Sequence, residues 1–182
     1  MRLSSLRLTL IGLAAATALA AGVVAAGASP TAPQIRNGGT LVVGLESDPD
    51  ALDPTIARTF VGRIVFLHMC EKLYDLDSKL NIVPQLAAAL PQISKDKLTY
   101  TIKVRSGIRF NDGTPFNGAA VKTTLDRYLT FKGSIRKSEI SPISSVTASG
   151  NTVTLHLSVP FSPLTAQLAD RAGMILSPKA IA

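Results

Sequence analysis

The chain has 182 residues, is 46% hydrophobic and 17% charged, and carries a net charge of +7. That length holds about one domain, and the composition is that of a folded body, which excludes a disordered chain. The basic residues are scattered, the tightest group being Lys132, Arg136 and Lys137, and with no Trp the stacking platforms of a nucleic-acid binder are missing, so the positive balance is read as a solvated surface.

Arg2 and Arg7 precede an uncharged run over residues 8–28 that ends in small residues, the order of a secretory signal peptide. Ala26 and Ala28 satisfy the small-x-small exit, which predicts cleavage after Ala28 and a signal peptide over 1–28. An uncharged run of this length also suits an uncleaved membrane anchor, and that alternative stays open. Residues 29–39, rich in Pro, Gly and polar side chains, read as a flexible lead-in. The apolar run 40–45, bounded by glycines, predicts a buried strand. Asp48, Pro49, Asp50, Leu52, Asp53 and Pro54 then make a loop, because the prolines forbid regular pairing. The spacing of Arg63, Phe66, Leu67 and Cys70 predicts an amphipathic helix over 63–73, and residues 80–90 continue as a mixed stretch with Pro84 and an Ala-rich turn.

The most informative segment is 98–116. Thr99, Thr101 and Lys103 alternate with Tyr100, Ile102 and Val104, the period of a half-buried strand, and after Ser106-Gly107 a second short strand is predicted over 108–110. Asn111-Asp112-Gly113 makes a turn, and from Gly118 to Leu129 the period becomes helical, with Asn117 as cap. Ser149-Gly150-Asn151-Thr152 between two apolar runs predicts a hairpin, and Pro163 ahead of Leu164 and Leu168 predicts a short helix. The sum is an α+β arrangement of hairpins and helices packed on a sheet.

The run Arg105-x-Gly107-x-x-Phe110-x-Asp112-Gly113-Thr114-Pro115-Phe116 resembles the signature region of family 5 extracellular solute-binding proteins, the peptide, nickel and oligopeptide receptors of ABC importers. Three further blocks fit in order: residues 38–43 with Leu52-Asp53-Pro54, Glu71-x-Leu73 with Leu76-Asp77, and Ile82-Val83-Pro84-x-Leu86-Ala87. The resemblance implies that residues 40–182 are an incomplete N-terminal lobe of a class II two-lobed binding-protein fold, with the second lobe absent. It implies capture of a peptide or small-molecule ligand outside the cytoplasmic membrane and delivery to a permease and ATPase complex. It places the protein in the periplasm or outside the cell, touching the membrane only through the permease or an uncleaved leader. The lipidated cysteine that many relatives carry at the leader junction has no counterpart here. By resemblance the loop beyond Asp53-Pro54 faces the ligand cleft, which nominates Arg58, Thr59 and Phe60. The bland alternative, in which Phe60 staples the next helix and Arg58 is solvated, is weighed equally. Asp53, Pro54, Asp112, Gly113, Thr114, Pro115 and Phe116 are read as structural. Cys70 and Lys72 stand where relatives carry Tyr and Gly, Ala88-Ala89-Leu90 replaces an acidic-Ser-Trp run, and Gly118-Ala119-Ala120 lacks the usual acid of that helix start. A non-transporting receptor fragment with a structural or regulatory role is the alternative function.

The residues offer little to an enzyme reading. No phosphate-binding loop, dinucleotide fingerprint or metal-ligand spacing occurs, and His68 and His156 lie far apart, so no cofactor, metal or catalytic residue is assigned. Asp48 with Asp50 and Asp75 with Asp77 resemble acid/base pairs but equally suit caps on turn backbone. Ser47, Ser144 and Ser145 lack a base, and Cys70 reads as a small buried hydrophobe.

Overall fold

The structure, a computed structural model, describes residues 38–182; the leader and most of the lead-in lie outside the described residues. Residues 38–45 form neither helix nor strand, and Leu41 and Val42 are 86% and 87% exposed. The buried strand expected over 40–45 is therefore corrected to exposed, irregular chain. An apolar run becomes a strand only when another backbone edge completes its hydrogen bonds, and no ladder among the described residues includes it.

Gly44–Ala182 form one compact unit. Its centre is a four-stranded antiparallel sheet of β3 (Gln92–Ile93), β4 (Thr99–Lys103), β5 (Ile143–Ser149) and β6 (Thr152–Leu157), in the order β3-β4-β6-β5. The alternation read in the sequence sets the register: Tyr100 opposes Leu155 and Ile102 opposes Val153, all buried, while Thr99 and Thr101 oppose His156 and Thr154 on the polar face. Helix α2 (Gly118–Thr130) covers the apolar face with Val121, Leu125 and Tyr128. Val121 and Leu125 each contribute about 1.5–3 kcal/mol by leaving water. Asn117 caps this helix as expected, its Oδ1 accepting from the Ala120 N–H at 3.1 Å. No acid stands in the first turn. A Cβ at Gly118 would lie 2.7 Å from the Gly150 carbonyl, so the helix start can sit this close under the β5–β6 turn only with glycine there.

Before the sheet, helix α1 (Phe60–Met69) starts three residues earlier than the periodicity suggests and ends before Cys70. Thr59 caps it, and residues 72–73 are drawn out of the helix by longer-range pairing: Leu73 N–H donates to Gly173 and Leu86 N–H to Lys72. Leu67, counted on the inner face, is exposed; Val61 and Phe66 are buried instead. A hairpin of β1 (Tyr74–Leu76) and β2 (Ile82–Pro84) follows, closed by Asp77, whose carboxylate accepts from the N–H groups of Lys79 and Asn81 at 2.8 and 2.9 Å. The expected strand over 108–110 is reduced to one bridge, Arg109 with Pro115, because the chain folds back on its own turn and does not join the sheet. Beyond the sheet lie α3 (Lys137–Ile140), α4 (Leu164–Gln167) directly after Pro163, and a 3-10 turn at Arg171–Gly173.

Candidate functional site

The loop from Asp50 to Thr59 is built on two carboxylates. Asp50 reaches across it, accepting from the Arg58 N–H at 2.7 Å, the Thr59 hydroxyl at 2.7 Å and the Thr59 N–H at 3.3 Å. These donors, the Arg58 amide first, hold its carboxyl down at about 2. Asp53 works from inside: Oδ1 accepts from the Thr55 N–H at 2.8 Å, and its own carbonyl accepts from the Ile56 and Ala57 amides at 3.2 and 3.0 Å. Oδ2 takes the Arg127 guanidinium of α2 at 2.6 Å, and Arg127 Nε also donates to the Thr55 hydroxyl at 3.2 Å. Burial pushes the Asp53 carboxyl up, but the Thr55 and Arg127 donors outweigh it and leave it below the usual carboxylate range. The five consecutive amides from Thr55 to Thr59 thus all have acceptors within the loop.

This saturation decides where the three nominated residues go. The Thr59 hydroxyl is committed, donating to Asp50 while accepting from the Gly62 N–H at 3.1 Å as the α1 cap. Arg58 is exposed, and Phe60, the first residue of α1, is 68% exposed. A ring so open to water does not staple the helix. The loop offers solvent one cation and one aromatic ring on a frame whose amides from Thr55 to Thr59 are all bonded.

The signature block forms a separate feature. Asp112 accepts from the Thr114 N–H at 2.9 Å and from the Ser177 hydroxyl, which, with the Thr114 amide, depresses its carboxyl. Arg109 donates to the Gly113 carbonyl at 2.9 Å, and Phe110 stands edge-on to the buried Phe116 at 6.0 Å. A cavity of about 300 Å³ opens here, lined by Met69, Leu86, Phe110, Phe116, Asp112 and Ser177 among others; Arg58, Thr59 and Phe60 do not line it. Asp112 links the tight turn to Ser177, 65 positions away.

The other candidates are occupied by structure. Asp77 caps its turn, Asp75 accepts from Lys72 Nζ at 2.6 Å, and His68 Nδ1 lies 2.9 Å from the Ile64 carbonyl. Ser144 donates to the His156 carbonyl, and burial pushes the Cys70 thiol up, away from a reactive thiolate. No cluster of three metal-ligating side chains occurs among the described residues. Arg127 escaped sequence reading, since it lies 74 residues from Asp53 and its helical periodicity marks only a solvated face.

The sequence profile of bacterial extracellular solute-binding proteins, family 5 Middle, matches residues 81–180. The chain belongs to this family. Among its relatives, the glutathione-binding protein GsiB of Escherichia coli K12 is 34% identical over 151 residues, covering 78% of this chain and 28% of GsiB. GsiB of Pectobacterium atrosepticum is 32% identical over 77% of this chain and 27% of its own length. Among solved structures, the binding protein AgaA from A. tumefaciens R10 in complex with agropinic acid superposes with a TM-score of 0.68 at 30% identity, covering 74% of this chain and 27% of AgaA. The pheromone receptor PrgZ, described with its mode of peptide binding, gives 0.68 at 26% identity, over 73% and 30%. This family 5 chain therefore spans little more than a quarter of the length of the curated relatives it matches, and its α+β fold is that of the corresponding part of periplasmic-binding-protein-like structures.

Proposed function

We propose that this chain supplies part of the substrate-binding component of an ABC import system, a receptor and not an enzyme, which captures peptides or similar small solutes outside the cytoplasmic membrane. A permease and its ATPase would receive the ligand, and residues 1–28 would direct export. The observation that carries this reading is the loop Asp50–Thr59: in a chain of this family, its bonded frame leaves Arg58 and Phe60 free to meet a ligand. Such a pair suits a small anionic solute with an organic body, the guanidinium meeting a carboxylate and the ring covering apolar surface. The relatives point the same way, since GsiB is named for glutathione and AgaA is bound to agropinic acid. Ligand would favour a closed arrangement by the contacts it gains there.

Amide chemical shifts of the isotopically labelled chain, titrated separately with glutathione, agropinic acid and a short peptide, test this. At least one should move the Arg58, Thr59 and Phe60 signals, with the movement lost in Arg58→Met and reduced in Phe60→Ala. Shifts confined to the cavity beside Asp112, or none with any of the three, would refute the assignment.

A further inference from the structure

Two arginines outside the loop reach its backbone from the far side. Arg171, on the 3-10 turn, donates through Nη1 to the Ala57 carbonyl at 3.1 Å and the Thr59 carbonyl at 3.4 Å. Arg136, ahead of α3 and only 2% exposed, donates through Nη2 to the same Ala57 carbonyl at 3.4 Å. The Ile135 N–H adds a bond to the Thr55 carbonyl at 3.0 Å. Arg136 faces an acid, while Arg171 forms no ion pair among the described residues and bonds only to backbone carbonyls. Arg136 Nη1 lies 2.6 Å from Glu139, and the Asp170 beside Arg171 takes Arg63 of α1 at 2.6 Å. A buried guanidinium is costly to strip of water, and a neutral side chain would fill the same space at less expense. What the charge adds is a strong donor aimed at the carbonyls of residues 57 and 59, which alternate along the loop with the exposed residues Ile56, Arg58 and Phe60.

We infer that Arg136 and Arg171 are positioning residues for the ligand-facing loop: they fix the Ala57 and Thr59 carbonyls so that Arg58 and Phe60 are presented in one arrangement before any ligand arrives. This rests on the proposed role of Arg58 and Phe60 for its binding consequence, though not for the rigidity itself. A receptor loop ordered in advance loses less entropy on binding. The amides of residues 55–59 gain their acceptors from Asp50 and Asp53 on one side, and the arginines fix the carbonyls on the other.

Amide hydrogen exchange on the whole chain tests it. In the wild type, amides 55–59 are expected to be protected to a degree comparable with β4 and β6, although they lie in a loop. Arg171→Met should speed their exchange by about ten-fold, the loss of roughly one charged hydrogen bond, while β4 and β6 change by less than about two-fold. Arg171→Lys, which keeps a cationic donor on a long stem, should restore most of the protection, and Lys122→Met on the exposed face of α2 should leave it unchanged. The same variants titrated with glutathione should lose the Arg58 and Phe60 shift changes in Arg171→Met and regain them in Arg171→Lys. Unprotected wild-type amides at 55–59, or an Arg171→Met effect spread equally over loop and sheet, would overturn the inference. If glutathione moves nothing in the wild type, the ligand assignment fails for that solute, while the exchange data still decide the clamp.

Discussion

Replacing Asp53 by Asn is the most direct probe of the loop, because it removes one charge and little volume. Asn keeps an oxygen for the Thr55 N–H but turns an amide NH2 toward the Arg127 guanidinium, donor against donor. The bond lost is charge-assisted and short, 2.6 Å, with the two side chains 20% and 30% exposed. A sheltered bond to a charged group contributes about 1.5–3 kcal/mol and an exposed ion pair about 0.2–1, so a quarter-exposed pair sits between them at about 1.5 kcal/mol. For a folded unit of this size that lowers Tm by roughly 5 °C at neutral pH. The pH dependence adds a sign. The Asp53 carboxyl titrates below its ordinary value in the folded chain, so its contribution is complete above that ordinary value and disappears as pH falls through the depressed one. The gap between wild type and Asp53→Asn should then close in acid, where both carry a neutral side chain. Thermal melts of the two proteins from pH 7 down to pH 2.5 provide the measurement. An Asp53→Asn protein that melts within a degree of wild type at pH 7, or a gap that widens in acid, would show that the Asp53–Arg127 pair does not hold the loop.

Three further outcomes follow from separate parts of the structure. Gly173→Ala places a Cβ 1.8 Å from the Leu168 carbonyl, which itself accepts from the Tyr74 N–H; since backbone cannot yield there, the variant should lose more than about 3 kcal/mol in urea unfolding. Ala119→Glu puts an acid in the vacant first turn of α2 at an exposed site and should raise stability by about 0.3–1 kcal/mol in low salt, a gain that 1 M NaCl removes. Asp50, held at about 2 by the Arg58 amide and Thr59, should show its carboxyl titration midpoint by NMR near that value; the stability it lends is present above the ordinary carboxylate pKa and lost between there and pH 2, with α1 fraying first because the Thr59 cap depends on it.

The parts of the fold visible in the sequence are those where a single local rule dominates. Tyr100, Ile102 and Val104 alternate because one face of β4 is buried, and Asn117, Gly150 and Pro163 mark their cap, turn and helix start because each acts on backbone within a few residues. Where two rules compete, reading fails. Residues 71–73 continue the helical period of α1 yet pair with residues 85–87 and 173–175, and nothing within a helical window reports that pull. The three-residue strands β1 and β2 are too short to show a period, and the run 40–45 has the composition of a strand without a ladder.

The candidate site divides along the same line. Asp50 and Asp53 are legible as turn-makers, since an Asp among prolines caps nearby amides. Which way Arg58 and Phe60 point is not, because that depends on Arg127, Arg136 and Arg171, which bond to the loop from 72 to 114 residues downstream. A loop with acceptors for its amides and donors for its carbonyls has few ways to rearrange, so the side chains facing outward are the ones left to contact another molecule. Arg63, Arg127 and Arg136 each face an acid, whereas Arg58 has its amide bonded to Asp50 and its side chain exposed beside an exposed Phe60, and that contrast is the physical reason to seek the ligand at this loop before the cavity beside Asp112.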